Sequence, residues 1–139
     1  MPLVPGPFFT LDHTPTQAEL ELFARVSGDD NPIHVDPAFS ARTRFGRTVA
    51  HGMLIYSYFW AEMRRQLPNA TVKRQSVMFP HPAYAGEAIR ITATVESVEG
   101  GDARIAVRVA RLADDTPVAE ATTVLTVTEA TTVLAVGVA

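Results

Sequence analysis

The chain has no cysteine, which excludes disulfides and thiolate-rich zinc sites. No apolar run approaches the ~18 residues that a membrane-spanning helix needs. The net charge of −3 lacks the basic excess of a nucleic-acid footprint, so neither nucleic acid nor membrane is an expected partner. The opening "MPLVPGPFFT" has no basic residue of the kind that begins a secretory leader. A cytoplasmic location is therefore the expectation. Aromatics make up only 8%, so four of them within residues 56 to 60 stand out. What remains is a globular composition, 47% hydrophobic and 19% charged over 139 residues. That length suits one domain spanning 1–139, since domains run roughly 100–200 residues.

Along the chain, a short strand is expected around Phe8 to Leu11. "TPTQAELELFARVSG" reads as a helix: Thr14 or Thr16 can cap it, Pro15 suits its first turn, and Gly28 can end it. "DDNP" is turn chemistry, because Pro32 pushes Asn31 out of the α region. "DPAFSARTRFG" reads as a short helix capped by Asp36. "VAHGMLIYSYFWAEMRRQL" is the longest helix, apolar on every face up to Glu62 and therefore buried. Beyond Pro68, "TVKRQSVMF", "EAIRITATVESV", "ARIAVRVARL" and "PVAEATTVLTV" alternate in the manner of strands, and turn segments separate the last three. The layout is α+β, with an antiparallel β-sheet wrapped around a long central helix. Such a sheet leaves an edge open, so a homodimer is expected. The tail "TTVLAVGVA" could extend the last strand or lie on a partner.

The chemistry concentrates in "SGDDNPIHVD" and "VAHGML". Asp29 and His34 sit on one stiff turn beside the buried helix. A carboxylate and an imidazole facing one cavity can hold a water between them, one taking a proton while the other gives one. An apolar cavity would raise the Asp29 pKa by desolvation. Gly52 falls in the first turn of the long helix, where backbone N–H groups lack internal partners at the positive end. Its N–H is a candidate donor to charge developing on a carbonyl oxygen, with no side chain to block the approach. Asn31 can stiffen the turn or border the site, and His51 can orient the loop or touch ligand. Tyr56 and Trp60, four residues apart, share one helical face.

"FARVSGDDNPIHVDPAFSARTRFGRTVAHGML", residues 23 to 54, resembles the hydratase-2 motif of MaoC-like (R)-specific enoyl-CoA hydratases and related dehydratases. The resemblance implies a hot-dog fold acting as a dimer. It implies Asp29 and His34 as the pair that activates water for addition to a trans-2-enoyl thioester. It further implies Gly52 as the carbonyl-binding N–H, with Asn31 a supporting polar residue. The "NPIH" register selects Asp29 over Asp30. One departure lies in "YSYFW", where Trp60 falls at a position at which some of these enzymes carry an active-site serine. This points to an acyl tunnel that is shortened or reshaped.

The reading is thus catalytic Asp29, His34 and Gly52, with Asn31, His51, Tyr56 and Trp60 as substrate contacts. No metal or other cofactor is expected, because coenzyme A or phosphopantetheine arrives as part of the substrate. A metal set of His34, Asp36, His51 and His81 has no recognised spacing. Arg42, Arg44, Arg47, Lys73 and Arg74 could meet the phosphates of such a substrate. His13 and His81 have no evident partner. The alternatives are a double-bond isomerase, a dehydratase for an unusual polyketide acyl group, and a non-catalytic acyl-thioester-binding module.

Overall fold

Thr16 starts the first helix, and the sequence shows why. Its hydroxyl accepts from the Glu19 N–H (3.1 Å), while the Glu19 carboxylate accepts from the Thr16 N–H (2.7 Å). This reciprocal capping box satisfies two otherwise orphaned donors. Helix α1 therefore runs Gln17–Ser27, and Pro15 lies ahead of the cap rather than in the first turn. Gly28, at φ 83°, ends it in the left-handed conformation that glycine adopts without strain.

The computed structural model describes residues 3–127. The tail "TTVLAVGVA" lies outside them. Strand β1 spans Gly6–His13, longer than its sequence pattern suggested. Two short helices, α2 (Pro32–Val35) and α3 (Pro37–Ala41), follow α1. The long helix α4 covers Gly52–Gln66. Strands β2 (Thr71–Met78), β3 (Ile89–Glu99), β4 (Asp102–Arg111) and β5 (Pro117–Thr126) complete the order. All pairings are antiparallel, in the order β1-β3-β4-β5-β2. Gly100 and Gly101, both at positive φ, close the β3–β4 hairpin.

The two-residue alternation of β3 is the reason this sheet has an inside. Ile89, Ile91, Ala93 and Val95 are buried, whereas Arg90 and Thr92 between them face solvent. Residues 103, 105, 107 and 109 of β4 repeat the pattern. Against this face packs α4, whose Phe59 and Met63 are wholly buried. They share one apolar cluster with Ile89, Ile91, Ile105 and Leu125. The result is the arrangement expected from the sequence: a sheet around a buried helix. Strands β1 and β2 form its two edges, and β2 is exposed along most of its length.

His13 does have a partner: its Nε2 lies 2.8 Å from Glu19 Oε1, and its ring packs 4.2 Å from that of Tyr58. One carboxylate thus caps α1 and ties the end of β1 to the central helix.

Because Phe59 is fully enclosed, Phe59→Ala should destabilise the chain by about 3–5 kcal/mol. Urea denaturation followed by circular dichroism measures this, and a loss under 1 kcal/mol would show that the helix is not the centre of the core.

Candidate active site

The turn after α1 is built by side chains that bond their own backbone. Asn31 caps α2, its Oδ1 accepting from the Ile33 N–H at 3.1 Å. Asp36 caps α3 in the same way, through the Phe39 N–H at 3.0 Å. The stretch read as a turn thus contains a four-residue helix begun by Asn31 and Pro32. Neighbouring elements lock it. Gln17 of α1 donates to the His34 carbonyl at 2.9 Å and accepts from the Thr48 hydroxyl at 2.7 Å. The fully buried Ser40 donates to the Ile33 carbonyl at 3.1 Å.

These restraints bring Asp29 and His34 together. His34 is buried, and its Nδ1 lies 2.6 Å from the Val49 carbonyl oxygen. A carbonyl only accepts, so Nδ1 carries a hydrogen. The other nitrogen, Nε2, faces Asp29 Oδ2 at 3.8 Å. That distance exceeds a hydrogen bond and leaves both groups available to a third atom. The Asp29 side chain is 56% exposed. In one copy of the chain, the described residues thus leave more than half of this side chain open to solvent rather than enclosed in an apolar cavity. Asp30 is also exposed.

His51 joins this group. Its Nε2 donates to the Asp29 carbonyl oxygen at 2.9 Å. Its ring stacks on that of His34, with centroids 3.8 Å apart and planes 23° from parallel. On its other side lies Phe23, at 4.7 Å. Burial lowers the His51 pKa; the hydrogen bond to Asp29 opposes this, and the charge of His34 adds to it. Burial thus favours the neutral form of the His51 ring. Ligand atoms of Asp29, His34 and His51 lie within 4.8 Å of one another. This grouping differs from the histidine set considered above, since it includes neither Asp36 nor His81. Each ring spends one nitrogen on a carbonyl, which leaves Nε2 of His34 and Nδ1 of His51 as the remaining ring nitrogens.

Gly52 is the first residue of α4, so its N–H has no acceptor inside the helix. Its missing side chain has a definite use. A Cβ there would lie 2.6 Å from the ring of Phe79. The Phe79 ring, itself 41% exposed, thus fills the space that a side chain at position 52 would need. Gly52 and Phe79 border a cavity of about 270 Å³ with Phe45, Ile55 and Val118, and with Arg44 and His81. Asp29, His34, Tyr56 and Trp60 do not line it. The Tyr56 hydroxyl is instead bonded to Gln75 (2.7 Å) and Thr123 (2.6 Å) on the sheet. Trp60 is half-buried against the core. Among the five cations considered for phosphates, Arg47 is paired with Glu87 and Lys73 with Asp102. Arg42 and Arg44 lie over the rings of Phe39 and Phe45.

A family model described as MaoC like domain matches residues 6–116. The chain belongs to this family. The (R)-specific enoyl-CoA hydratase of Aeromonas caviae is 39% identical over 108 residues, which is 76% of this chain and 70% of that protein. The 3-hydroxyacyl-thioester dehydratase Z of Mycobacterium tuberculosis is 37% identical over 95 residues, 62% of this chain and 61% of that protein. The solved (R)-hydratase from A. caviae involved in PHA biosynthesis superposes with a TM-score of 0.84 at 28% identity, covering 91% of this chain and 98% of the other. The MaoC-like hot-dog fold is thus common to all described elements.

Residue patterns did not reveal the supporting groups of this MaoC-like site. Gln17, Val49 and Phe79 are 17, 15 and 27 residues from His34 or Gly52 in sequence. Nothing in local periodicity couples them. Gly52→Ala should cost about 1–3 kcal/mol through overpacking against Phe79. Adding Phe79→Ala should recover that loss relative to Phe79→Ala alone. Thermal denaturation of the four proteins measures the coupling, and additive losses would refute the packing account.

Proposed function

We propose that this MaoC-like protein is a hydro-lyase adding or removing water at a trans-2-enoyl or (R)-3-hydroxyacyl thioester. The observation that carries this reading is the Asp29 Oδ2–His34 Nε2 separation of 3.8 Å beside the first turn of α4. The chain's likeness to the Aeromonas (R)-specific enoyl-CoA hydratase and the Mycobacterium 3-hydroxyacyl-thioester dehydratase Z supports it.

The Val49 carbonyl engages Nδ1–H in either charge state of His34, so the mobile proton of this residue is the one on Nε2. In the hydration direction, Asp29 takes a proton from water as the oxygen bonds to the β-carbon. The carbon–carbon π electrons move toward the thioester carbonyl, whose growing negative charge meets the Gly52 N–H. Imidazolium His34 gives its Nε2 proton to the α-carbon. The pair ends as carboxylic acid and neutral imidazole, and proton return from Asp29 to His34 resets it. Dehydration is the same path reversed. Water supplies both added hydrogens, with Asp29 and His34 relaying the protons, so the step as written calls for no metal or redox cofactor. Coenzyme A or a phosphopantetheine arm enters as part of the substrate. Asn31 acts here mainly as the cap that fixes the turn.

The exposure of Asp29 in one copy, together with two open sheet edges, supports a homodimer in which the second copy covers the site. We read the whole chain as one such domain working in the cytoplasm. No helix of the described residues is long and apolar enough to cross a membrane.

Asp29→Asn and His34→Gln should each reduce crotonyl-thioester hydration by about 10²–10⁴-fold while the fold persists. Absorbance of the conjugated thioester reports the rate, and circular dichroism reports the fold. Failure of the wild-type protein to turn over any member of a size-graded panel of enoyl and 3-hydroxyacyl thioesters would reject the lyase in favour of an acyl-binding module.

A further inference from the structure

His51 is the N-cap residue of α4, yet its side chain makes no cap bond to its own helix. The ring turns back to the Asp29 carbonyl instead, at 2.9 Å. It is 3% exposed and lies between Phe23 and His34, 4.7 and 3.8 Å from their rings. Its Nδ1 is buried without a partner among the described residues. An unpaired buried acceptor is a cost, and native structures rarely keep one without a use. A residue needed only to fill this space could be phenylalanine, which would keep the stack, bury no unpaired nitrogen and give up only the bond to the Asp29 carbonyl.

We infer that His51 is a positioning residue for the reaction at Asp29 and His34, acting through its Nε2–H on the Asp29 backbone and its flat face on the His34 ring. Two separate groups of the site are thereby referred to one residue. The hydrogen bond sets where the Asp29 backbone sits. The stack sets the plane of the His34 imidazole, whose Nδ1 is tied two residues upstream at Val49. The direction of the His34 Nε2–H follows from that plane. Both reacting atoms thus take their coordinates from residues 49–51, immediately before Gly52. A neutral ring is what the role needs, because a second charge at 3.8 Å would oppose protonation of His34. The inference rests on the lyase reading for its kinetic consequences, but the state of the ring is observable without any substrate.

The test compares wild type, His51→Phe and His51→Gln. Gln places its amide N–H at the same reach along the side chain as Nε2, whereas Phe keeps the stack and loses the donor. His51→Phe should melt within about 4 °C of wild type. Its kcat on crotonyl thioester should fall about a hundredfold, the scale of an ångström-sized misplacement, with KM little changed. His51→Gln should recover most of that loss. Full activity in His51→Phe, or equal damage in both folded variants, would overturn the inference. Nitrogen-15 NMR of the wild-type histidine rings supplies the second measurement. His51 should be a neutral Nε2–H tautomer across the neutral pH range, and a charged or Nδ1–H ring there overturns the role. A wild type inactive on every thioester removes the lyase reading, while the NMR result still decides the state of His51.

Discussion

The site depends on a clamp between one turn and the entrance to one helix. The Val49 carbonyl fixes the His34 ring, and the His51 ring fixes the Asp29 backbone. The Ile33 carbonyl accepts from the Val49 N–H at 2.9 Å. Three bonds therefore tie residues 29–34 to residues 49–51, and α4 carries that clamp into the core. The Asn31 and Asp36 caps stiffen this turn locally but do not by themselves fix its place against the rest of the molecule. It is held because the helix beside it is anchored by its buried face, with Phe59 and Met63 fully enclosed. Apolar packing and proton chemistry are thus parts of one construction.

This accounts for the contrast visible in the sequence, where polar residues sit next to one of the most hydrophobic segments. The greasy helix gives the polar turn a rigid reference. The turn in turn occupies backbone groups near the helix start. Gln17 extends the restraint to α1, so three helices converge on His34 without a charged group being fully enclosed.

Much of this was legible from residue types and spacing. The alternation of β3 and β4, the Thr16 and Asp36 caps, Gly28 and the long α4 stand where their patterns put them, because each is a local rule satisfied locally. Helix α4, however, buries one face and leaves Met53 and Ala61 exposed rather than being enclosed all round. The neighbourhood of Asp29 and His34 was legible through family resemblance. What escaped had a long-range cause. Phe79 follows β2 and is 41% exposed, and only the fold brings its ring over Gly52. The His13–Glu19 contact joins two elements through a carboxylate that the sequence offered only as a helical residue. Helix α2 was hidden because "DDNP" signals a turn strongly, and a cap followed by one helical turn uses the same residues.

At position 29 the chain backbone is secured through its carbonyl, while the side chain projects outward and is more than half exposed. The scaffold therefore asks nothing of the carboxyl group itself. Architecture and reactivity are divided at that single residue, the first resting on main-chain atoms and the second on what is attached to them. Descendants of such a chain can exchange the acid for another group and keep the shape intact, so loss or redirection of chemistry here need not pass through an unfolded ancestor.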